Sequence, residues 1–446
     1  MANSRAITCL TLLLLAGCAS TPRGIEKINH VVVIVQENWS FDGLYGKFPS
    51  ANGLANAKDA QKQADKDGKV YAVLPPAIQL DGKPDPRIPR DLPNAPFDLE
   101  PYVKPTEKTG DMGHGFFDHQ RQINGGRNDR FVAWGGAGAL PMSYYDGTDF
   151  PQGRLAREFT LADNFFQAAF GGSFLNHFWL VCACTPRWQE APQRFRSVVA
   201  PDGTVVRDGT VTPDGYVVNT LWPENGPFPP SRRVDRARLL PPQTARTIGD
   251  ALDEKGVSWA WYAGGWNDVL AGIASDDFQY HHLPFLYFSR FAQDGEARRK
   301  HLRDDTAFVE DLRAGRLPAV SFIKPSGALD HHPGYSDVIS SQEHVVKFVE
   351  AIRASAYWKD VAIIITYDEY GGRWDHVPPP RGDRFGPGSR IPAIIVSPYA
   401  KRGFVDHTQY DTTSILKFIT RRFELEPLAG VRQNAGDLTN ALELNR

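Results

Sequence analysis

Residues 361–380 read VAIIITYDEYGGRWDHVPPP, and this stretch decides the fold. Its first five residues are apolar and mostly β-branched, which is typical of a strand buried on both faces. Asp368 and Glu369 stand just beyond, at the strand end where open α/β sheets bind ligands. Neighbouring carboxylates in a dry cleft repel each other unless a cation lies between them. We therefore predict a metal site rather than a solvated turn, and expect the Gly-Gly bend to bring Asp375 and His376 to the same point.

A second apolar run occupies residues 31–35, after His30, and Glu37 and Asn38 follow it after one glutamine. This run also has the character of a buried strand that delivers oxygen ligands at its carboxyl end. The carboxyl ends of parallel strands meet at one edge of a sheet. We therefore expect the two runs to be neighbouring parallel strands and the two sets of polar residues to form one site.

The rest of the chain alternates between helix-like and strand-like segments, which predicts an α/β fold with a mostly parallel central sheet and helices on both faces. The predicted helices are 173–182, 244–254, 305–314, 341–354 and 412–423, and the further strands are 159–166, 257–262, 319–323 and 391–397. Two insertions interrupt this order. Residues 51–110 form an irregular surface excursion with a short helix at 57–64, and residues 185–240 form a small meander of hairpins that covers the site. Residues 19–446 are expected to be one domain.

Composition excludes some partners. The 446 residues carry 50 Lys and Arg against 52 Asp and Glu, which gives a net charge of −2. No surface for a polyanion is implied, so nucleic acid is not an expected partner.

Residues 1–18 have the features of an export signal, with Arg5 ahead of a short apolar run that ends in Leu-Ala-Gly-Cys18. The run is too short to span a bilayer. The sequence around Cys18 resembles the bacterial lipoprotein signal, whose cysteine becomes lipidated after cleavage. Ala19 and Ser20 resemble the version sent to the outer membrane. The alternative is an ordinary secretory signal, and either interpretation predicts an exported protein. The lipoprotein interpretation places the protein in the periplasm or outer membrane, where it touches membrane only through its anchor.

Besides Cys18, the mature chain holds Cys182 and Cys184. Alternating positions on a strand rarely meet the geometry of a disulfide. We expect two small core residues, since a Cys-x-Cys metal or redox site would need further ligands.

Histidines are concentrated in loops. Seven of the 12 lie beside the acidic motif or in three loops, at 114 and 119, at 281 and 282, and at 331 and 332. Histidine is suited to donating protons between about pH 5 and 8. Ser173 begins a predicted helix after two glycines, so its hydroxyl would face an anionic ligand held by free amides. An ordinary N-cap is the alternative for Ser173.

Six short motifs together resemble the acid phosphatase and non-specific phospholipase C family, within the alkaline phosphatase-like superfamily. They are 36–42 (QENWSFD), 171–177 (GGSFLNH), 280–282 (YHH), 332–335 (HPGY), 368–372 (DEYGG) and 375–377 (DHV), and the resemblance runs from residue 28 to 428. Trp39 stands where the family usually has Arg. Ser173 stands where family phospholipases commonly carry Thr, so Ser173 and the Tyr-His-His motif are closer to the acid phosphatase branch.

The resemblance implies a role for each matching residue. The implied metal ligands are Glu37, Asn38, Ser173, Asp368 and Glu369. Ser173 is also the implied nucleophile, and the histidines implied to line the phosphate pocket are His114, His281, His282, His332 and His376. Oxygen and amide ligands favour one hard divalent cation such as Ca²⁺ or Mg²⁺, with Zn²⁺ as an alternative. Spacing does not identify which histidine donates the proton.

We therefore expect an exported, metal-dependent acid phosphatase that acts on small phosphomonoesters through a phosphoserine. The first alternative is a phospholipase C that cleaves phosphatidylcholine-type lipids in the same site, and the second is a surface lipoprotein that binds without catalysis. The tail after residue 428 is short and not amphipathic enough to lie in a lipid interface, and we therefore expect the phosphatase rather than the phospholipase. Substrate identity and oligomeric state are not encoded in these patterns.

Overall fold

The computed structural model describes residues 24–275, 277–293 and 295–445. The proposed signal peptide and Cys18 lie outside the described residues. Strands occupy β1 His30–Gln36, β2 Phe97–Asp98, β3 Ser143–Tyr144, β4 Thr160–Ala162, β5 Phe165–Phe166, β6 Val198–Val199, β7 Val205–Arg207, β8 Trp222–Pro223, β9 Leu239–Leu240, β10 Trp259–Ala263, β11 Leu302–Asp304, β12 Val320–Lys324, β13 Val361–Tyr367, β14 Ala393–Val396, β15 Phe404–Asp406 and β16 Tyr410–Asp411. The helices are α1 Phe41–Tyr45, α2 Phe116–Ile123, α3 Phe131–Gly135, α4 Pro151–Glu158, α5 Ser173–Cys182, α6 Ile248–Glu254, α7 Trp266–Leu270, α8 Glu296–His301, α9 Thr306–Arg313, α10 Val338–Arg353 and α11 Thr413–Phe423.

A central sheet of eight strands has the order β11-β10-β12-β1-β13-β14-β4-β15. Neighbouring strands are parallel except at β14, which runs antiparallel to both β13 and β4. The predicted α/β class with a mostly parallel sheet is confirmed. β1 and β13 are parallel neighbours, and Gln36 pairs with Tyr367 at their carboxyl ends. Glu37 and Asp368 therefore leave the sheet side by side, as the two apolar runs predict.

Both faces of the sheet are covered. Every residue of β13 and all but the first of β1 are buried. Since alternate side chains of a strand point to opposite faces, burial of all of them requires cover on both sides. Helix α10 contacts both α4 and α9, and α5 contacts α6 and α11. Among the described residues, no helix has the length and apolar character needed to cross a bilayer.

The insertions are less regular than predicted. Residues 54–59 form a 3-10 helix in place of the α-helix expected at 57–64, with a kink at Ala57. A helix at this point would have few apolar contacts, because all six of these residues are partly or fully exposed. In the second insertion β6 and β7 form an antiparallel hairpin, whereas β8 and β9 pair in parallel. Only part of this insertion is therefore a hairpin meander.

The expectation for Cys182 and Cys184 is wrong, because the two residues form a disulfide. Cys182 is the last residue of α5, and the following Ala183 has left-handed backbone angles, with φ 48° and ψ 40°. This residue turns the chain back, so the two sulfurs meet. The expectation assumed an extended strand, where the two side chains would point the same way without meeting.

Candidate metal and phosphate site

A cavity of about 370 Å³ opens at the carboxyl ends of the central strands. Its wall combines charged and imidazole groups with backbone from two glycine-rich loops. The lining includes Glu37, Asp111, His114, Ser173, His281, His282, Asp330, His332 and Tyr335. Val218, Asn219 and Thr220 complete the wall from the second insertion, so this insertion does contribute to the cavity.

The floor of the cavity is acidic. Glu37, Asp368 and Glu369 are each no more than 3% exposed. The amide of Asp368 donates to the carbonyl of Gln36 at 2.9 Å, which fixes the end of β13 against the end of β1. Burial, together with the charge of Glu37, raises the pKa of both Asp368 and Glu369 well above the ordinary carboxyl value. Three carboxylates in one buried site are stable in their charged form only with positive charge among them.

Asn38 shows that this floor fits a metal ion. Its side chain is fully buried, and within the described residues neither its Oδ1 nor its Nδ2 has a hydrogen-bond partner. Asp368 Oδ2 and Glu369 Oε1 likewise accept no hydrogen bond within that part of the chain. A buried polar atom without a partner is costly, so these atoms are candidate ligands for a metal ion. Amide and carboxylate oxygens are suited to a divalent cation.

Ser173 is the first residue of α5 and lines the cavity. Its side chain lies beside the Asp368 carboxylate, and this proximity works against the rise in the pKa of Asp368. Gly171 has φ +86°, and a Cβ there would lie 2.7 Å from the Cα of Phe116. The glycine is therefore required for the close approach of α2 to this turn. The serine hydroxyl thus lies at a helix N-terminus and beside the acidic floor, as the sequence predicts.

His281 and His282 lie on a single 3-10 turn, Tyr280–His282. His282 Nε2 is 2.5 Å from Glu37 Oε1, and the His282 carbonyl accepts a hydrogen bond from the indole of Trp261. Burial lowers the pKa of His282 to about 4, against the opposing effect of Glu37. Burial also lowers the pKa of His281 well below the ordinary value. Both imidazole rings are therefore predominantly neutral at pH 7.

His114 and His332 face the acidic floor from other loops. The Nδ1 atom of His332 lies 2.6 Å from the carbonyl of Pro333, and its Nε2 lies 3.8 Å from Glu37 Oε2. His114 Nε2 lies 3.5 Å from Glu369 Oε1. Carbonyl oxygens only accept, so the Nδ1 of His332 carries the proton and its Nε2 is turned toward the site. These two histidines are therefore brought to the cavity as predicted.

The structure corrects the placement of His376. Its Nδ1 lies 2.6 Å from Asp42 Oδ2, and Arg390 bonds to both Asp42 and Asp375. We call these four residues the 42/375/376/390 cluster. Gly371 and Gly372 both have positive φ and turn the chain away from the acidic floor, and Trp374 is then fixed by the carbonyl of Pro141. His376 and Asp375 therefore do not join the carboxylates of the site.

Several residues of the site were not predicted from the sequence. Lys324 is fully buried at the end of β12, and its Nζ lies 2.8 Å from Glu37 Oε1. Asp330 is also buried and lines the cavity. His177 lies one helical turn after Ser173, with its Nδ1 at 2.7 Å from the Ser173 carbonyl and 3.8 Å from Asp368 Oδ2. Two of these residues could have been identified from the sequence. Lys324 comes directly after the predicted buried strand 319–323, and His177 lies four residues after Ser173, on the same face of the predicted helix.

Lys324 supplies a positive charge among the carboxylates. Burial alone would lower the pKa of Lys324, but Glu37, Asp330 and Asp368 outweigh it, and the pKa is raised. Burial alone would raise the pKa of Glu37, but His282 and Lys324 hold it well below the ordinary value. Three groups of possible metal ligands meet at this floor: Glu37 with His281 and His282, Glu37 with His177 and Asp368, and Asp111 with His114 and His332.

The fold and the site define a hydrolase that acts on phosphoric esters. Residues 28–426 match the model of the Phosphoesterase family, and the chain belongs to this family. Phospholipase C B of Mycobacterium tuberculosis is 25% identical over 456 residues, which cover 91% of this chain and 75% of that protein. Non-hemolytic phospholipase C of Burkholderia pseudomallei is 25% identical over 454 residues, covering 90% of this chain and 55% of its relative. Among solved structures, a protein in the alkaline phosphatase superfamily from Vibrio parahaemolyticus has a TM-score of 0.36 and 13% identity, with 66% of this chain and 64% of that chain covered.

Proposed function

We propose that the protein is a metal-dependent acid phosphatase that hydrolyses small phosphomonoesters through a phosphoserine. The observation that carries this proposal is the position of Ser173, which lines the cavity at the start of α5 with its side chain beside buried Asp368. A hydroxyl becomes an effective nucleophile when a base or a cation lowers its pKa. Phosphoryl transfer otherwise needs positioning and charge neutralisation, which the surrounding histidines and helix N-terminus can supply.

The floor residues would hold one divalent cation. Glu37, Asn38, Ser173, Asp368 and Glu369 are the proposed ligands, and Ca²⁺, Mg²⁺ and Zn²⁺ are the candidate ions. When bound, the ion supplies Lewis acidity that favours the ionised serine and offsets the charge of the phosphate oxygens. His177, His281 and His282 lie next to Glu37 and Asp368 and add nitrogen donors, which keeps Zn²⁺ among the candidates.

The reaction has two halves. The Ser173 hydroxyl loses its proton to solvent, its Oγ forms a bond to phosphorus while the bond to the leaving oxygen breaks, and a cavity histidine gives that oxygen its proton. Water then attacks phosphorus and gives a proton back to the histidine while the bond to Ser173 Oγ breaks, which releases phosphate, and Ser173 Oγ regains a proton from solvent. His281, His282 and His332 all line the cavity, and the pKa of each is lowered by burial. Protonated donors would therefore be more abundant in acid, in agreement with an acid phosphatase.

A phospholipase C is the second candidate, because relatives along most of the chain bear that name. The same serine and floor could act on the phosphodiester of a phospholipid. Ser173 and the Tyr280-His281-His282 motif favour the phosphatase through their resemblance to that branch.

The proposal also includes export as a lipoprotein anchored at Cys18, with residues 19–446 as one domain. Metabolic labelling with a radioactive fatty acid, lost in Cys18→Ser, would test the anchor.

The decisive experiment is an activity screen of the purified protein against aryl phosphates and phosphatidylcholine, with and without a chelator. The phosphatase proposal expects turnover of aryl phosphate that the chelator removes and that a divalent cation restores. Turnover that survives exhaustive chelation would contradict the metal dependence. Turnover of phosphatidylcholine alone would establish the second candidate.

A further inference from the structure

A second cavity lies beside the catalytic one. It also measures about 370 Å³, and it is lined by Thr220, Leu221, Trp222, Arg233, Asp235, Arg238 and Leu239. We call it the arginine cavity. Thr220 lines the catalytic cavity as well, so the two cavities meet at this residue.

The arginine cavity is built onto the wall of the catalytic site. The chain leaves that wall at Thr220 and enters β8, where Trp222 pairs with Leu239 of β9. Arg238 directly precedes Leu239. The Asp235 side chain accepts a hydrogen bond from the amide of Ala237 at 3.0 Å and begins the 3-10 turn Arg236–Arg238. The backbone that carries the arginines is therefore tied to the same segment that closes the catalytic cavity.

The charge of this segment is not neutralised by its neighbours. Residues 220–240 contain four arginines, against Glu224 and Asp235. Arg232 is engaged, since its Nη2 donates to the Ser275 carbonyl at 2.8 Å and its guanidinium lies 5.4 Å from the centroid of the Trp222 ring. Within the part of the chain that the structure describes, the guanidinium groups of Arg233 and Arg238 make no hydrogen bond or ion pair. Two unpaired arginines thus line a concave surface next to the site where phosphate is proposed to bind.

We propose that the arginine cavity is a second anion site, which binds a phosphate or carboxylate on the leaving group of the substrate. Guanidinium groups bind both anions with paired hydrogen bonds. While the phosphate under attack lies at Ser173, a leaving group directed toward Thr220 would place its own anion between Arg233 and Arg238. The substrate class is then phosphomonoesters with an anionic leaving group, such as bisphosphates. This inference rests on the proposed phosphatase function.

The test compares the monophosphate and the bisphosphate of the same linear diol, over a series of chain lengths. We expect the wild-type protein to prefer the bisphosphate, with kcat/KM passing through a maximum at one chain length, because two fixed sites require one spacing. The variant Arg233→Gln/Arg238→Gln should raise KM for that bisphosphate about tenfold, the size of one charge-assisted hydrogen bond, and leave the monophosphate unchanged. Arg236→Gln is the matched control, because Arg236 lies on the same turn but does not line the cavity.

Several results would overturn the inference. One such result is an equal kcat/KM for the monophosphate and the bisphosphate at every chain length. Another is an equal rise in KM for the bisphosphate in Arg236→Gln, which would indicate a diffuse charge effect. If neither substrate is turned over, the phosphatase proposal fails by itself. Calorimetry with the intact bisphosphate then tests the arginine cavity by itself. The inference requires that the bisphosphate binds and that the double variant weakens this binding. Binding to vesicles containing phosphatidylglycerol that depends on both arginines, without a bisphosphate preference, would assign them to a lipid surface instead.

Discussion

Lys324 Nζ lies 2.8 Å from Glu37 Oε1 beneath the catalytic cavity, and both side chains are buried. A buried pair of this kind contributes little net stability, but removal of one partner leaves the other charge uncompensated. The lysine thus allows the acidic floor to fold before any metal ion binds. A divalent cation would then complete the neutralisation.

The variant Lys324→Met tests this role. We expect the free energy of unfolding, measured with urea in the presence of a chelator, to fall by about 3–5 kcal/mol. Saturation with the activating cation should recover part of the loss, because the ion binds the folded state. Lys347→Met is the control, since Lys347 is exposed on α10 and its loss should change stability by less than about 0.5 kcal/mol. An equally small effect at Lys324 would show that the floor does not need its charge.

Asp368→Ala should abolish both metal binding and turnover, because it removes an anionic oxygen from the ligand set of a small cation. Elemental analysis of the folded variant measures the metal directly. Asp375→Asn is an informative comparison, because this carboxylate belongs to the same stretch, residues 361–380, but is bonded to Arg390 at 2.9 Å. It should retain the metal content of the wild type and lose stability instead. Wild-type metal content in Asp368→Ala would move Asp368 from a ligand to an acid or base role.

Ser173→Ala should lower kcat by about three orders of magnitude or more, since it removes the nucleophile. Folding and metal content should change little, because four other ligands remain. Rapid acid quench with a phosphorus-labelled substrate should mark Ser173 in the wild type. If the alanine variant kept most of its kcat, direct attack by water would replace the phosphoserine mechanism.

The strand ends and the position of Ser173 could be predicted because local chemistry determines them. The apolar runs before Glu37 and Asp368 become buried parallel strands in almost any α/β sheet, so their polar ends must meet. Ser173 follows two glycines and starts α5 at the predicted residue. These features depend on short-range pattern alone.

The remaining features depend on contacts between distant segments. Asp42 and Arg390 lie 348 residues apart in the sequence, and their pairing withdraws His376 from the site. The arginine was not recognisable as a partner from its surroundings. Similarly, Lys324 is the last residue of β12, a position that many surface lysines occupy in strands, and only the place of β12 beside β1 buries it against Glu37. The disulfide depended on a single left-handed residue, Ala183.

The surroundings of His376 should make the stability of the fold depend on pH. Burial alone would lower the pKa of His376, but the Asp42 carboxylate outweighs it, and the pKa is raised in the folded state. The charged ring therefore stabilises the fold fully below its unfolded pKa of about 6.5, and this contribution is lost as the pH rises through the higher folded pKa. Asp42, Asp375, Arg390 and the Asn52 amide face the ring.

We expect His376→Gln to reduce the free energy of unfolding by about 1–3 kcal/mol near pH 5.5, and by less near pH 8.5. Urea denaturation of both proteins at the two pH values measures the difference. Activity on an aryl phosphate at low temperature, where the variant stays folded, should fall less than about tenfold. A larger loss of kcat with unchanged stability would return His376 to a catalytic role.

The size and polarity of the catalytic cavity separate the two candidate functions. The catalytic cavity of about 370 Å³ lies at the small end of the usual range for ligand sites and is lined mainly by polar groups. It can enclose a phosphate with a small or aromatic alcohol, whereas a diacylglycerol leaving group would keep its acyl chains in contact with water. Because the proposed proton donors are histidines, the rate should also be highest below pH 7. We expect kcat/KM for an aryl phosphate to exceed that for phosphatidylcholine in mixed micelles by at least about a hundredfold, which corresponds to about 2.7 kcal/mol of transition-state stabilisation. Steady-state rates at matched concentrations decide the question. If phosphatidylcholine is cleaved as efficiently as the aryl phosphate, the protein is a phospholipase C and its cavity must open to admit the lipid.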